Sequence, residues 1–250
     1  MNQFKTDGII IRSVLYGESD LILTILTPDM GKIPAIAKGA KRSKKRFPGG
    51  LNILYHGSMQ LAPGKKSDNL YRLDGFDVAG TFSEIQCDYH KVTVASFMLE
   101  LTEALTVEGD SCRKSYGLLL EALTAVEDCA DLSKTLIMFQ LRSLDVAGYC
   151  PDIASCRLCG RKLEPSRSFV FSLDQGCLYC QGCRSGEGVW LPISTGTLMS
   201  LLWIIRNGPQ DFSKLKLSAQ AVKEARDLLD SMIRRILGRE LKTFKFLPDH

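Results

Sequence analysis

The chain of 250 residues is 45% hydrophobic, with 32 basic and 28 acidic side chains and a formal charge of +4. That is ample for one or two packed cores and excludes a disordered or fibrous polypeptide. Its longest apolar stretches, such as Leu198 to Ile205, fall far short of the roughly 20 residues of a membrane helix, so no transmembrane segment is expected.

The opening Met1-Asn2-Gln3-Phe4-Lys5-Thr6-Asp7 contains no apolar signal segment, and a reduced, cytoplasmic compartment is expected. Residues 5–80 read as all-β. Gly8 to Leu15, Leu21 to Thr27 and Lys32 to Ala37 are β-rich runs separated by Gly17-Glu18-Ser19-Asp20 and Pro28-Asp29-Met30-Gly31, both turn signals. Two further strands are predicted near Tyr55 to Leu61 and Leu70 to Val78, joined through Pro63 to Asn69. Five strands in about 75 residues suit a small closed barrel of the OB type, whose open face often binds single strands.

The charge is concentrated in this region. Residues 1–80 hold 12 basic and 7 acidic groups, and the other 170 hold 20 and 21. Six cations, Lys38, Lys41, Arg42, Lys44, Lys45 and Arg46, fall in nine residues with no acid among them. A solvated lysine-rich loop is one reading of the run. The other is a polyanion site: neighbouring cations repel, and phosphates relieve the repulsion with counterion release. Phe47, next in the chain, offers a ring for base stacking. The second reading is favoured.

From about Ser83 the apolar period changes from two to nearly four. Val92, Ala95, Leu99 and Ala104 line one predicted helix, Leu119, Leu120 and Leu123 a second, and Leu136, Phe139 and Leu144 a third. Another helix begins near Ser194. A last one carries Val222, Ala225, Leu229, Met232, Ile233 and Ile236, with Asp211-Phe212-Ser213 and Leu217-Ser218 as breaks and caps before it. These stripes are read as bundle core.

Nine cysteines punctuate the chain. Cys87, Cys112 and Cys129 stand singly in apolar stretches and read as buried thiols. Cys156-x-x-Cys159 and Cys180-x-x-Cys183, with twenty residues between the pairs, have the spacing of a four-thiolate zinc module, in which each tight turn aims two sulfurs at one ion. Cys177-x-x-Cys180 is also a legitimate pair, so Cys177 remains an alternative ligand. Cys180 and Cys183 are preferred because Asp174-Gln175-Gly176 reads as a hairpin turn and Cys177-Leu178-Tyr179 as the return strand. One Zn2+ per chain is expected, holding shape and not catalysing. The module, at about 150–192, interrupts the helical region as a metal staple in place of an apolar core.

Signs of catalysis are few. His56, His90 and His250 are the only histidines, and none sits in a nucleophile signature. There is no GxxxxGK[ST] loop and no HxE with PCxxC arrangement of a zinc deaminase. No enzyme is expected.

The order of these parts resembles the bacterial RecO family of recombination and DNA-repair proteins over essentially the whole chain. The resemblance rests on Asp7-Gly8-Ile9-Ile10 followed by Glu18-Ser19-Asp20, on Gly31-Lys32 leading to Lys38-Gly39-Ala40-Lys41-Arg42, on Gly148-Tyr149-Cys150-Pro151 before Cys156-x-x-Cys159-Gly160, and on Leu237-Gly238-Arg239-Glu240-Leu241-Lys242. One departure is Gln175-Gly176-Cys177, where many relatives with the four cysteines have a glycine pair. Other relatives lack the cysteines, which implies that the metal is not the seat of the shared activity.

The resemblance implies an α+β multidomain protein: an N-terminal OB-fold β-barrel for DNA binding at 1–80, then a helical domain at 81–250 with the inserted four-cysteine zinc module. It implies binding of single-stranded and double-stranded DNA, annealing of complementary strands, and loading of RecA in the RecF pathway. RecR and the single-stranded DNA-binding protein would be partners, with RecF and RecA as further candidates, at the bacterial nucleoid. The DNA-contacting residues are expected to be the six cations of the run, extended by Arg12 and Lys32. A zinc-stapled protein–protein adaptor that does not touch DNA is the alternative from another functional class.

Overall fold

The computed structural model describes residues 3–64, 70–128, 131–165, 167–208 and 214–247. Cys129, His250, the expected break at Asp211-Phe212-Ser213 and most of the loop between Pro63 and Asn69 lie outside the described residues. The chain divides into two compact units, 1–129 and 130–250.

In the first unit, β1 (Phe4–Tyr16), β2 (Asp20–Thr27), β3 (Gly31–Ala37), β4 (His56–Ala62) and β5 (Tyr71–Gly80) close into a barrel of order β1-β2-β3-β5-β4. Only the β3–β5 pair is parallel. Alternation drives closure: Leu23, Ile25, Ile33, Ala35, Met59 and Leu73 all point inward and are at most 3% exposed, while their chain neighbours, the buried Leu26 excepted, are at least partly exposed. A register shift between Ile10 and Arg12 of β1 lets Ile9, Ile10 and Ile11 all be buried and returns Arg12 to the exposed side. Gly31 makes the turn into β3 at φ 62°; a Cβ there would lie 2.4 Å from the Asp110 carbonyl oxygen, so the close approach of the 107–110 segment requires glycine.

Three helices belong to this unit as well: α1 (Ser83–Gln86), α2 (Tyr89–Leu105) and α3 (Arg113–Asp128). Asp88 caps α2, its carboxylate accepting from the His90 and Lys91 amides. Glu127 of α3 accepts from the Glu84 amide at 3.1 Å and so holds α1 against the end of that helix. His56 lies 5.0 Å from the Phe82 ring, and burial lowers its pKa. Two expectations need correction. Cys87 is exposed and Cys112 only half-buried, its thiol donating to the Thr27 carbonyl at 3.1 Å. Val92 is 37% exposed and Ala104 half-buried; Ala95 and Leu99 of that stripe are buried as expected, together with Val94, Phe97, Met98 and Leu101.

The second unit packs α4 (Leu132–Val146), α5 (Thr195–Arg206) and α6 (Ala219–Leu237) together. Their seam includes a buried hydrogen bond of 2.6 Å from Gln140 to Asp230. Glu224 of α6 accepts from the Ser194 amide and hydroxyl and from the Thr197 hydroxyl at 2.6–2.9 Å, closing the N-terminus of α5. Burial opposes ionisation there, but the Thr197 and Ser194 hydroxyls hold the carboxyl at about 2. Between α4 and α5 the chain makes a small sheet of order β6-β8-β7-β9, from β6 (Asp152–Cys156), β7 (Phe169–Ser172), β8 (Cys177–Cys180) and β9 (Trp190–Pro192).

Candidate metal centre and cationic rim

The thiol cluster is built by strand pairing. β6 and β8 run parallel, which brings their C-terminal ends, Cys156 and Cys180, to the same edge of the sheet. Each strand then breaks into a tight turn. The Gly160 amide returns to the Cys156 carbonyl at 2.9 Å, and the Arg184 amide to the Cys180 carbonyl at 3.1 Å. The sulfurs of Cys156, Cys159, Cys180 and Cys183 all lie within 4.8 Å of one another, and those of Cys159 and Cys180 are 3.8 Å apart. A tetrahedron with metal–sulfur bonds of about 2.3 Å has edges of about 3.8 Å, so the four donors fit a zinc-sized ion at their centre.

The protonation pattern agrees. Burial works against ionising Cys156, yet the backbone N–H groups of Cys159, Cys180 and Leu158 bring its thiol down to about 6. Hydrogen bonding to the Cys180 and Cys159 sulfurs, with some burial, pushes Cys183 up to about 12. Four thiols this close cannot all ionise unaided, and a dication among them removes that restriction. The set holds no histidine or carboxylate. It is therefore suited to holding structure and offers no open, water-bearing position.

Cys177 is outside the cluster. Alternation along β8 sends Leu178 and Cys180 to one face and Cys177 and Tyr179 to the other, and the Cys177 sulfur lies beside Gln175. Desolvation raises its pKa, as expected of a buried thiol away from a metal.

The cationic run forms a coiled loop between β3 and β4, docked on the barrel at several points. The Lys41 amide donates to the Ser19 carbonyl at 3.1 Å and the Phe76 amide to the Arg46 carbonyl at 3.3 Å; the Gly39 amide donates to Asp20 Oδ1 at 2.7 Å. Lys38, Lys41, Arg42, Lys44 and Lys45 are exposed. Arg42 shares its charge with Glu18 at 3.2 Å; none of the four lysines is in an ion pair with another described residue.

Other residues of the expected surface are placed differently. Arg46 is half-buried: its guanidinium donates to the Ser43 hydroxyl and to the Lys38 carbonyl and lies 5.2 Å from the Phe47 ring centre. Phe47, expected as a stacking ring, is 3% exposed and part of the barrel core. Its apolar area plugs the barrel end, which adjacency to charge in the sequence does not reveal. Arg12 is exposed on β1. Lys32 stands at the start of β3, the end remote from the loop, and donates to the Glu103 carbonyl at 2.9 Å. The structure thus gathers the loop cations and leaves Lys32 apart.

Sequence reasoning missed an apolar rim beside the loop. Val14, Leu15 and Tyr16 at the end of β1 are 45%, 61% and 56% exposed, and Leu15, Lys41 and Lys44 line one groove. Three consecutive apolar residues at a hairpin tip, where alternation calls for a polar one, were the available signal.

Comparison with known proteins adds a decisive observation. Residues 1–82 match the family described as Recombination protein O N terminal and residues 86–244 match Recombination protein O C terminal. The chain belongs to the recombination protein O family. Among its RecO relatives, the DNA repair protein RecO of Desulfatibacillum aliphaticivorans is 35% identical over 252 residues, covering 100% of this chain and 98% of that protein. That of Syntrophus aciditrophicus (strain SB) is 33% identical over 249 residues, 98% and 95% respectively. The DNA repair protein RecO of Anaeromyxobacter dehalogenans (strain 2CP-C) is 32% identical over 251 residues, 100% and 97%. Among the described residues no helix is long and apolar enough to cross a membrane.

Proposed function

We propose that this RecO-family protein is a mediator of DNA repair and recombination that binds DNA through its barrel, residues 1–80, and anneals complementary single strands without catalysing a covalent reaction. One observation carries the reading: a loop of exposed cations is tethered to the barrel rim at Ser19, Asp20 and β5. Annealing requires two polyanions to approach, and fixed cations lower that barrier by neutralising phosphates. Lys38, Lys41, Lys44 and Lys45 supply the accessible charge, Arg42 supplies part of its own, and Arg12 extends the track along β1. Arg46 acts chiefly by shaping the loop, and Lys32 by its bond to α2.

Cys156, Cys159, Cys180 and Cys183 hold one Zn2+ per chain. The ion supplies cross-linking, and its thiolates keep two turns and four short strands in one shape. Family resemblance supports partners as well: RecR, the single-stranded DNA-binding protein whose coat must be handled, and RecF and RecA in loading recombinase at the nucleoid. The reading is tested by annealing of complementary oligonucleotides with the wild type and with Lys44→Ala/Lys45→Ala. Slower annealing by the variant supports it. Equal rates, or no binding of bare oligonucleotides at low salt, would leave a protein–protein adaptor as the better description.

A further inference from the structure

The small sheet of the second unit has two unlike faces. Phe169, Phe171, Leu178 and Cys180 are at most 4% exposed and form its inner side. The register Val170↔Tyr179, Ser172↔Cys177 and Ser172↔Trp190 places Tyr179 and Trp190 together on the outer side. Their rings meet edge to face at 5.4 Å and 84°, over the buried Val170, Ser172 and Cys177. Both aromatics are only half-buried. An outer sheet face is ordinarily polar, and this one carries the two largest aromatics of the module.

Cations surround them. The exposed Arg184 lies 5.5 Å from the Trp190 ring centre, and the Arg157 amide donates to the Leu178 carbonyl at 2.8 Å, which sets Arg157 beside β8. The knuckle from Arg157 to Lys162 holds Arg157, Arg161 and Lys162 with no acid, all three exposed. Of the nearby carboxylates, Asp174 is occupied by Arg235 at 2.6 Å and by the Val189 amide at 2.8 Å. Asp152 stands opposite Cys177 in the register.

Aromatic rings on a sheet surface, flanked by guanidinium groups, match an unpaired nucleic-acid strand: rings stack on any base and the cations meet the phosphates between. An acidic peptide would use the cations and leave the rings idle. We propose that this face is a second single-stranded DNA surface, with Tyr179 and Trp190 stacking bases and Arg157 and Arg184 holding adjacent phosphates. The inference rests on the DNA reading above and extends it: each compact unit carries one strand surface, the loop of the first and the sheet of the second.

The chain has two tryptophans, so Trp203→Phe leaves Trp190 as the sole reporter in full-length, zinc-loaded protein. A fluorescently labelled dT oligonucleotide reports total binding by anisotropy, while Trp190 emission reports the platform. Binding should quench Trp190, and an abasic oligonucleotide of equal length should not. Arg157→Ala/Arg184→Ala should weaken the quenching titration roughly tenfold and slow annealing at unchanged zinc content. Lys44→Ala/Lys45→Ala should leave quenching in place at low salt. Anisotropy that rises with Trp190 emission unchanged would overturn the platform and spare the loop; loss of quenching in the lysine variant would overturn its independence. No anisotropy change at all would sink the DNA reading itself.

Discussion

Replacing Lys44 and Lys45 by alanine should roughly halve the salt sensitivity of single-strand binding by the rim. Four loop lysines are exposed and outside ion pairs with described residues, whereas Arg42 is shared with Glu18 and Arg46 is turned into the loop. With about 0.7 of a counterion released per phosphate contact on single strands, the four give a log–log slope near −2.8, and two give about −1.4. Between 50 and 200 mM salt, affinity should then fall about 50-fold for the wild type and about 7-fold for the variant. Titration of a labelled dT oligonucleotide across that range measures both slopes. Contributions from the sheet face add equally to each, so the difference is the informative quantity. A difference near zero would refute the assignment of phosphate contacts to the loop.

Arg46→Ala should act on stability more than on the slope, because the guanidinium bonds Ser43 and Lys38 and covers Phe47; a loss of about 1–2 kcal/mol in urea unfolding is expected. Cys156→Ser/Cys159→Ser should abolish stoichiometric metal by elemental analysis and expose residues 150–192 to protease, whereas Cys177→Ser should keep the metal. Glu224→Gln should remove about 1 kcal/mol at neutral pH, discounted for its partial exposure. The folded carboxyl lies at about 2, below its ordinary 4.5, so its contribution is present above pH 4.5 and lost as pH falls toward 2. The gap between wild-type and variant melting temperatures should therefore narrow across that window; a constant gap would contradict the account.

Much of the architecture was legible because local chemistry and packing agree. Period-two runs bounded by Gly17-Glu18-Ser19-Asp20 and Pro28-Asp29-Met30-Gly31 became β1 to β3, and Asp174-Gln175-Gly176 became the turn before β8. The choice between Cys177 and its neighbours had no answer in spacing alone, since both spacings are CxxC; the strand's alternation decides which sulfurs face the cluster. Phe47 was misread for a related reason, and Arg46 beside it turns into the loop. A charged run advertises its composition but not which members turn inward, and the barrel's open end took the ring. Val92 fits the apolar period of α2, yet the rotation of that helix places it outside; Cys87 is the exposed C-cap of α1, between the polar Gln86 and Asp88. Trp190 and Tyr179 are far apart in sequence, and only the shared partner strand β7 brings them together.

The tethers of the cationic loop have a consequence for how such a surface diversifies. Architecture there is borne by Phe47 in the barrel, by the backbone bonds to Ser19 and β5, and by Asp20, none of which involves a lysine ammonium group. The lysines can accordingly be gained, lost or exchanged like beads on a fixed wire, retuning grip on a polyanion while the barrel beneath stays the same.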